Sequence, residues 1–299
     1  MDFTNVIEAK NIKKSFKNFT LDVPSFKLPK GFATALIGEN GAGKTTLLNI
    51  LTGIRLDYTG SINYFGKYSE KDIDKDPSVK EKIGYTGTEN FFLPHWTVGQ
   101  VEEISTLLFE NFDSKKFRDR CKELAIFGPG SFDKSKRVSA LSDGTKTKLM
   151  LAGVLARETD LLIMDEPASP LDPLMRDKLC ELIRDYLSSG DNKSVFFSTH
   201  NISDMENVTD YAIIMEQGRI VEQGFVEDLK EKYIAVKGEA ADTEKARKIL
   251  YTISSSNYGF EGICLAEDLD KLAGMDITTE TASLFKISVA IMKKNSLIQ

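Results

Sequence analysis

Apolar runs that end in glycine, or are broken by turns, set the rhythm of the first third of the chain. Residues 6 to 37 alternate short β-rich runs with turns, and Phe32-Ala33-Thr34-Ala35-Leu36-Ile37 is an almost unbroken apolar stretch closed by Gly38, as a buried strand requires. After Lys44, Thr45-Thr46-Leu47-Leu48-Asn49-Ile50-Leu51 predicts a helix closed by Gly53. The order is strand, glycine-rich loop, helix. Between about Thr97 and Leu155 the pattern is helical. Thr97 and Gln100 have capping-box spacing, and Val101, Ile104, Leu107 and Leu108 follow as the expected apolar face. These residues predict a helical insert over about 97–157.

From Leu161 onward, strand and helix alternate. Leu161 to Met164 predicts a strand, Asp172 and Pro173 predict the N-cap and first position of a helix, and Ser194 to Ser198 and Tyr211 to Met215 predict two more strands. Such alternation implies an α/β fold, a parallel sheet flanked by helices. After about Glu231 the pattern restarts with Tyr233-Ile234-Ala235-Val236, a charged helix-like run from Asp242 to Ile249 and a strand-like run from Phe260 to Leu265. Residues 231–299 therefore read as a small accessory α+β domain beside a main domain over 1–230. No tandem repeat or low-complexity linker separates them.

Composition narrows the function classes. The 299 residues are 41% hydrophobic and 28% charged, which excludes a disordered or collagen-like chain. A net charge of -6 argues against nucleic acid as the main partner. Cys121, Cys180 and Cys264 are too few and too scattered for a disulfide framework or a zinc site, which fits a reducing cytosol. The N-terminal Met1-Asp2-Phe3-Thr4-Asn5 lacks the features of a secretory leader. The longest apolar candidates, such as Ile287 to Met292, fall far short of the roughly 20 residues of a membrane span.

Chemistry enters with Gly38-Glu39-Asn40-Gly41-Ala42-Gly43-Lys44-Thr45, which has P-loop spacing and stands between an apolar strand and a helix, the context that motif needs. Glycines let backbone N–H groups wrap a phosphate, the helix N-terminus adds partial positive charge, Lys44 reaches the β- and γ-phosphates, and the Thr45 hydroxyl can bind Mg²⁺. Leu161-Leu162-Ile163-Met164-Asp165-Glu166 places two carboxylates at the C-terminal end of a buried strand, where α/β folds bind ligands. Asp165 is placed to hold Mg²⁺, and Glu166 to polarise water as a general base worth about 10²–10⁴ in rate.

With these motifs the chain resembles the ATP-binding cassette (ABC) family of transporter ATPases. Ala140-Leu141-Ser142-Asp143-Gly144-Thr145 matches the family signature, usually Leu-Ser-Gly-Gly-Gln, and stands just before the acidic strand end. The resemblance covers residues 1 to about 230. It implies a P-loop NTPase fold of ABC type with a helical subdomain, binding ATP and Mg²⁺. It assigns Asn40, Gly41, Ala42, Gly43, Lys44, Thr45, Thr46 and Asp165 to the nucleotide, and Ser142 and Gly144 to ATP held by a second ATPase subunit. Pro170-Leu171-Asp172 occupies the loop that passes between subunits, and His200 the switch position that contacts the γ-phosphate, catalytic beside Glu166. Phe16 lies where the family stacks an aromatic on adenine, although the same residue also suits a plain core position. His95 has no companions at ligand spacing and reads as a surface or interface residue.

Two positions depart from the family pattern. Thr88 stands where a glutamine normally joins Thr45 and Asp165 at Mg²⁺, and threonine reaches less far. Glu89, one position later, is a possible substitute. Asp143 replaces the first signature glycine, and because a carboxylate facing phosphate is repelled, its side chain is expected to point away. Phe91-Phe92-Leu93-Pro94-His95-Trp96 fits either a core staple for the following helix or a surface that docks a permease. The resemblance thus implies an ATPase subunit at the cytoplasmic face of the membrane, pairing with itself or a paralogue and powering a separate transmembrane permease. The short signature and the C-terminal extension are most similar to the branch exporting antibiotics, peptides or lipids. The competing reading is an ATP-dependent dimerisation switch with low turnover, which the Thr88 and Asp143 departures favour.

Overall fold

The computed structural model describes residues 5–295; Met1 to Thr4, read above as part of a leaderless N-terminus, lie outside them. β1 (Asn5–Ser15) and β2 (Thr20–Pro29) pair antiparallel, and the apolar run before the glycine loop becomes β3 (Ala33–Ile37), buried at every residue. The loop feeds α1 (Lys44–Leu51). β4 (Thr59–Tyr64) and β5 (Tyr68–Ser69) complete a four-stranded sheet in the order β2-β1-β4-β5. Two short helices, α2 (Asp72–Lys75) and α3 (Pro77–Glu81), lead to β6 (Ile83–Thr86); α3 starts where Asp76 accepts the Ser78 amide and Pro77 takes the first position.

The helical arm holds α4 (Val98–Leu108), α5 (Ser114–Glu123) and α6 (Asp143–Leu155). Thr97 and Gln100 form the expected capping box, with both reciprocal hydrogen bonds present. The expected apolar face needs correction: Val98, Val101 and Ser105 are buried, whereas Leu107 and Leu108 are 79% and 66% exposed. Glu102 takes a buried position on that face because Arg118 and Lys134 neutralise it, which turns the helix away from the face its leucines suggest.

Beyond the arm come β7 (Leu161–Met164), α7 (Pro173–Ser188), β8 (Ser194–Thr199), β9 (Tyr211–Glu216) and β10 (Arg219–Phe225). The central sheet runs β10-β9-β3-β8-β7-β6, parallel except at β10. Its period of two divides the core. Leu162, Met164, Val195, Phe197, Ala212 and Ile214 join the helical side, whereas Leu161, Ile163, Phe196, Ile213 and Met215 join the cluster containing α1 and the antiparallel sheet. All the parallel strands end towards the same edge, which collects the loops after β3, β6, β7 and β8.

The chain passes through α8 (Val226–Lys232) directly into β11 (Tyr233–Gly238), then α9 (Thr243–Ala246), β12 (Thr252–Ser256), β13 (Gly259–Leu265), β14 (Ile277–Thr281) and α10 (Leu284–Asn295). The four strands form an antiparallel sheet in the order β12-β13-β11-β14. One side of it builds a small core from Val236, Phe260, Cys264 and Leu272. On the other side, Ala235 and Ile263 share the large helical-side core with Leu284, Ile287 and Ile291 of α10 and with Ile214 of β9. Among the described residues, no helix is long and apolar enough to cross a membrane.

Candidate functional site

The glycine loop holds its lysine by main-chain oxygens. Lys44 is 5% exposed, and its Nζ donates to the carbonyls of Gly38 at 2.7 Å and Glu39 at 3.2 Å. Gly43 precedes α1 at φ 105°, a conformation that suits glycine, and a Cβ there would lie 2.8 Å from the Phe19 ring. No side chain caps α1, and its first turn has no acid. Its N-terminal amides and dipole therefore face the loop with no side-chain cap on them. Ala42 is buried, Asn40 and Gly41 are exposed, and Thr45 and Thr46 occupy the first turn behind them.

The carboxylates after β7 have different tasks built into their contacts. Asp165 is 2% exposed; its Oδ2 accepts the Thr45 hydroxyl at 2.7 Å and its Oδ1 accepts the Ser198 hydroxyl. A buried carboxylate costs heavily unless donors satisfy it, and these two hydroxyls do so. Glu166 adopts φ 50°, uncommon for a residue with a side chain and costing about 1–3 kcal/mol. Its amide donates to Ser198 Oγ at 2.9 Å, its Oε1 pairs with Lys44 Nζ at 3.2 Å, and its Oε2 lies 2.8 Å from His200 Nδ1. Ser198 thus holds both acids through one hydroxyl. Its only trace in the sequence is a hydroxyl residue at the end of an apolar strand, two places before His200.

Asp165, Glu166 and His200 line a cavity of about 250 Å³, which Asn40, Thr88 and Thr147 also border. Thr88 reaches this wall with a short, exposed side chain; Glu89 is exposed and outside the lining. Nearby, Tyr85 donates to Asn49 Oδ1 at 3.2 Å, and burial together with the charge of Asp165 pushes its phenol up to about 12. It remains a neutral donor at any physiological pH.

The other predicted residues stand farther round the molecule. Ser142 caps α6, accepting the Thr145 amide at 3.3 Å, and Asp143 turns to Lys146 at 2.9 Å, its side chain 91% exposed. A Cβ on Gly144 would lie 2.7 Å from the Pro170 carbonyl, so the signature turn rests on the backbone of the loop before α7. Phe16 is 40% exposed, a surface aromatic with Lys14 and Arg55 at 5.4 and 5.3 Å from its ring centre. Phe91-to-Trp96 divides between its two readings: Phe92 is buried in the core, whereas Phe91 and Leu93 are 54% and 45% exposed. His95 is exposed, and among the described residues no cluster of His, Cys, Asp and Glu could by itself hold a metal ion.

Residues 21–169 match the family model described as ABC transporter. The chain is 32% identical to the lantibiotic transport ATP-binding protein SrtF of Streptococcus pyogenes over 222 residues, 72% of this chain and 89% of that protein. It is 31% identical to the Nod factor export ATP-binding protein I of Paraburkholderia xenovorans over 222 residues, 73% of this chain and 70% of that protein. The match to ABC transporter A family member 11 of Dictyostelium discoideum is 33% over 228 residues, 74% of this chain but 26% of that protein's length. A solved ATP-binding subunit of an ABC transporter superposes with a TM-score of 0.64 at 24% identity, covering 75% of this chain and 92% of that one.

Proposed function

Because the chain belongs to the ABC transporter family as an ATP-binding subunit with the family's ATPase activity, we propose that it powers export of a peptide, antibiotic or lipid through a separate transmembrane permease. The observation that carries the catalytic part is the convergence of Asp165, Glu166 and His200 on one cavity, with Lys44 paired to Glu166 beside it, although the four come from three segments of the chain. In this reading the α1 amides and Lys44 bind the phosphates, Phe16 stacks on adenine, and Glu166 accepts a proton from the attacking water on Oε2, oriented by His200.

Thr45 Oγ1 and Asp165 Oδ2, two hard oxygen donors 2.7 Å apart, fit Mg²⁺. Bound there, Mg²⁺ supplies positive charge against the phosphate oxygens. Thr88 offers one further oxygen from the cavity wall. Ser142, exposed, and Gly144, half-buried, at the start of α6 would meet the ATP of a second ATPase subunit, a copy or a paralogue.

Permease docking at the cytoplasmic face of the membrane is supported by an apolar groove of about 430 Å³. Ile54, Phe91, Trp96, Leu108 and Phe109 line it. Leu108, left exposed by the turn of α4, thereby acquires a role.

Phosphate release from Mg-ATP by the wild type and Glu166→Gln, with and without the co-expressed permease, tests the reading. Turnover that depends on Glu166 and responds to the permease supports a transport motor. Tight ATP binding without turnover in either setting favours the dimerisation switch, the reading that the short side chain of Thr88 supports.

A further inference from the structure

The C-terminal unit holds the segment that carries His200. Immediately after His200 the chain makes two tight turns, Ile202–Asp204 and Glu206–Val208. From the second, Glu206 reaches to α10, the last helix described: its Oε1 accepts the Leu284 amide at 2.8 Å and its Oε2 the Phe285 amide at 3.4 Å. Ser283 takes the next amides, Lys286 on its hydroxyl at 3.3 Å and Ile287 on its carbonyl at 3.0 Å. The first turn of a helix has four amides without intrahelical partners, and here a residue far away in sequence satisfies two of them. The negative carboxylate also sits at the positive end of the helix dipole.

Packing follows the same line. Ile202 and Met205, on either side of Asp204, are buried with Leu284, Ile287 and Ile291 of α10 in one cluster. On its opposite flank Asp204 accepts Arg176 Nη1 at 2.8 Å and Asn201 Nδ2 at 3.2 Å, and its carbonyl accepts the Cys180 thiol at 3.7 Å, while Asp210 at the end of the segment accepts the Ala33 amide at 2.8 Å. The loop between His200 and β9 is therefore clasped between α7 and α10.

We propose that Glu206 is a positioning residue for ATP hydrolysis, coupling the docking of the C-terminal unit to the placement of His200 beside Glu166. The proposal rests on the assignment of His200 and Glu166 to hydrolysis. Glu206 itself touches no reacting atom. It sets the rigidity of the strap from which the imidazole projects, and its carboxylate hydrogen bonds go to α10, not to the nucleotide-binding loop after β3.

The test uses the full chain with Glu206→Ala and Glu206→Gln, read by steady-state Mg-ATP turnover and by hydrogen exchange with mass spectrometry. The expected result is a fall in kcat of about three- to tenfold, the scale of one lost hydrogen-bonding clasp, with KM for ATP unchanged within about twofold. Exchange should quicken over 200–208 as well as over 284–295. Glu206→Gln keeps one accepting oxygen and should fall between wild type and Glu206→Ala, so the series remains readable if the alanine variant folds poorly. Exchange that quickens only in 284–295, or a lower melting temperature with kcat unchanged, overturns the proposal and leaves Glu206 a structural cap. Wild-type turnover that does not depend on Glu166 would overturn the hydrolysis assignment instead, while the exchange measurement still reads the clasp itself.

Discussion

His200 and Glu166 meet through Nδ1 and Oε2 at 2.8 Å, while the other oxygen of the same carboxylate reaches Lys44 at 3.2 Å. One acid therefore stands between the two cationic or cationisable groups that the proposed function assigns to phosphate. Its left-handed backbone makes this possible, because it turns the side chain from the strand end across to both neighbours. The balance of these contacts leads to the first expectation.

Lys44→Ala should lower ATP affinity by roughly 10- to 100-fold, equivalent to ~1.5–3 kcal/mol for a hydrogen bond to a charged group. The variant also strips Glu166 of its cation, so a buried carboxylate oxygen is left unpaired. Titration of the nucleotide by calorimetry reads the affinity directly, and an unchanged dissociation constant would remove Lys44 from the phosphate site.

Phe91 and Phe92 are adjacent, with ring centres 4.6 Å apart, yet should behave oppositely. Phe92→Ala empties a buried position and should cost about 3–5 kcal/mol of stability. Phe91→Ser should leave stability within about 0.5 kcal/mol and reduce co-purification with the permease. Melting curves and pull-down yields together decide it: equal destabilisation by both would make the whole segment core.

Thr88→Gln extends the polar reach of the cavity wall. If the short side chain limits turnover, phosphate release should rise about three- to tenfold, up to ~1.4 kcal/mol of barrier. A rate that stays flat or falls would mean that the threonine hydroxyl, at its present length, already suits the site.

Glu222 on β10 reports on the junction with the C-terminal unit. Burial alone would raise its pKa, but the Lys232 ammonium, the Tyr233 hydroxyl at 2.7 Å and the Gln223 amide together hold it below the usual 4.5. A depressed pKa in the folded state adds stability above the unfolded value and loses it as pH falls through the folded one. Wild type should therefore melt a few degrees above Glu222→Gln at pH 7, with the gap closing as pH drops below about 4.5. A gap independent of pH would mean that the carboxylate charge contributes nothing there.

Local features of the fold were legible. The P-loop, the acidic strand end and the Thr97 capping box each lie within a few residues, and their physics is contained in that window. Leu107 and Leu108 misled because periodicity cannot see that Glu102, neutralised from α5 and Lys134, takes a buried place on the helix. β10 and β14 lack a regular alternation of apolar residues, and in β4 it is confined to Ile62 and Tyr64, too short a run to announce a strand. Ile287 to Met292 was notable in sequence only as too short to span a membrane, yet it supplies the buried face of α10.

The site divides in the same way. Lys44, Asp165, Glu166 and His200 carry recognisable motifs, but the Ser198 hydroxyl that joins both acids and the Glu206 carboxylate that reaches Leu284 are relationships across the chain. Neither residue type nor spacing announces them. Phe91 to Trp96 presented two incompatible readings because burial changes from one residue to the next within it.

The shared core of β9 and α10 also bears on the order in which the molecule can be completed. A ribosome finishes β9 at Glu216 and must add the whole C-terminal sheet before α10 begins at Leu284. At about 5–20 residues per second, that leaves several seconds in which the β9 end of one face of the central sheet and the strap after His200 lack the cover of α10. The nascent ATPase body is thus water-exposed along that edge until α10 arrives, and that edge is where a chaperone would find it.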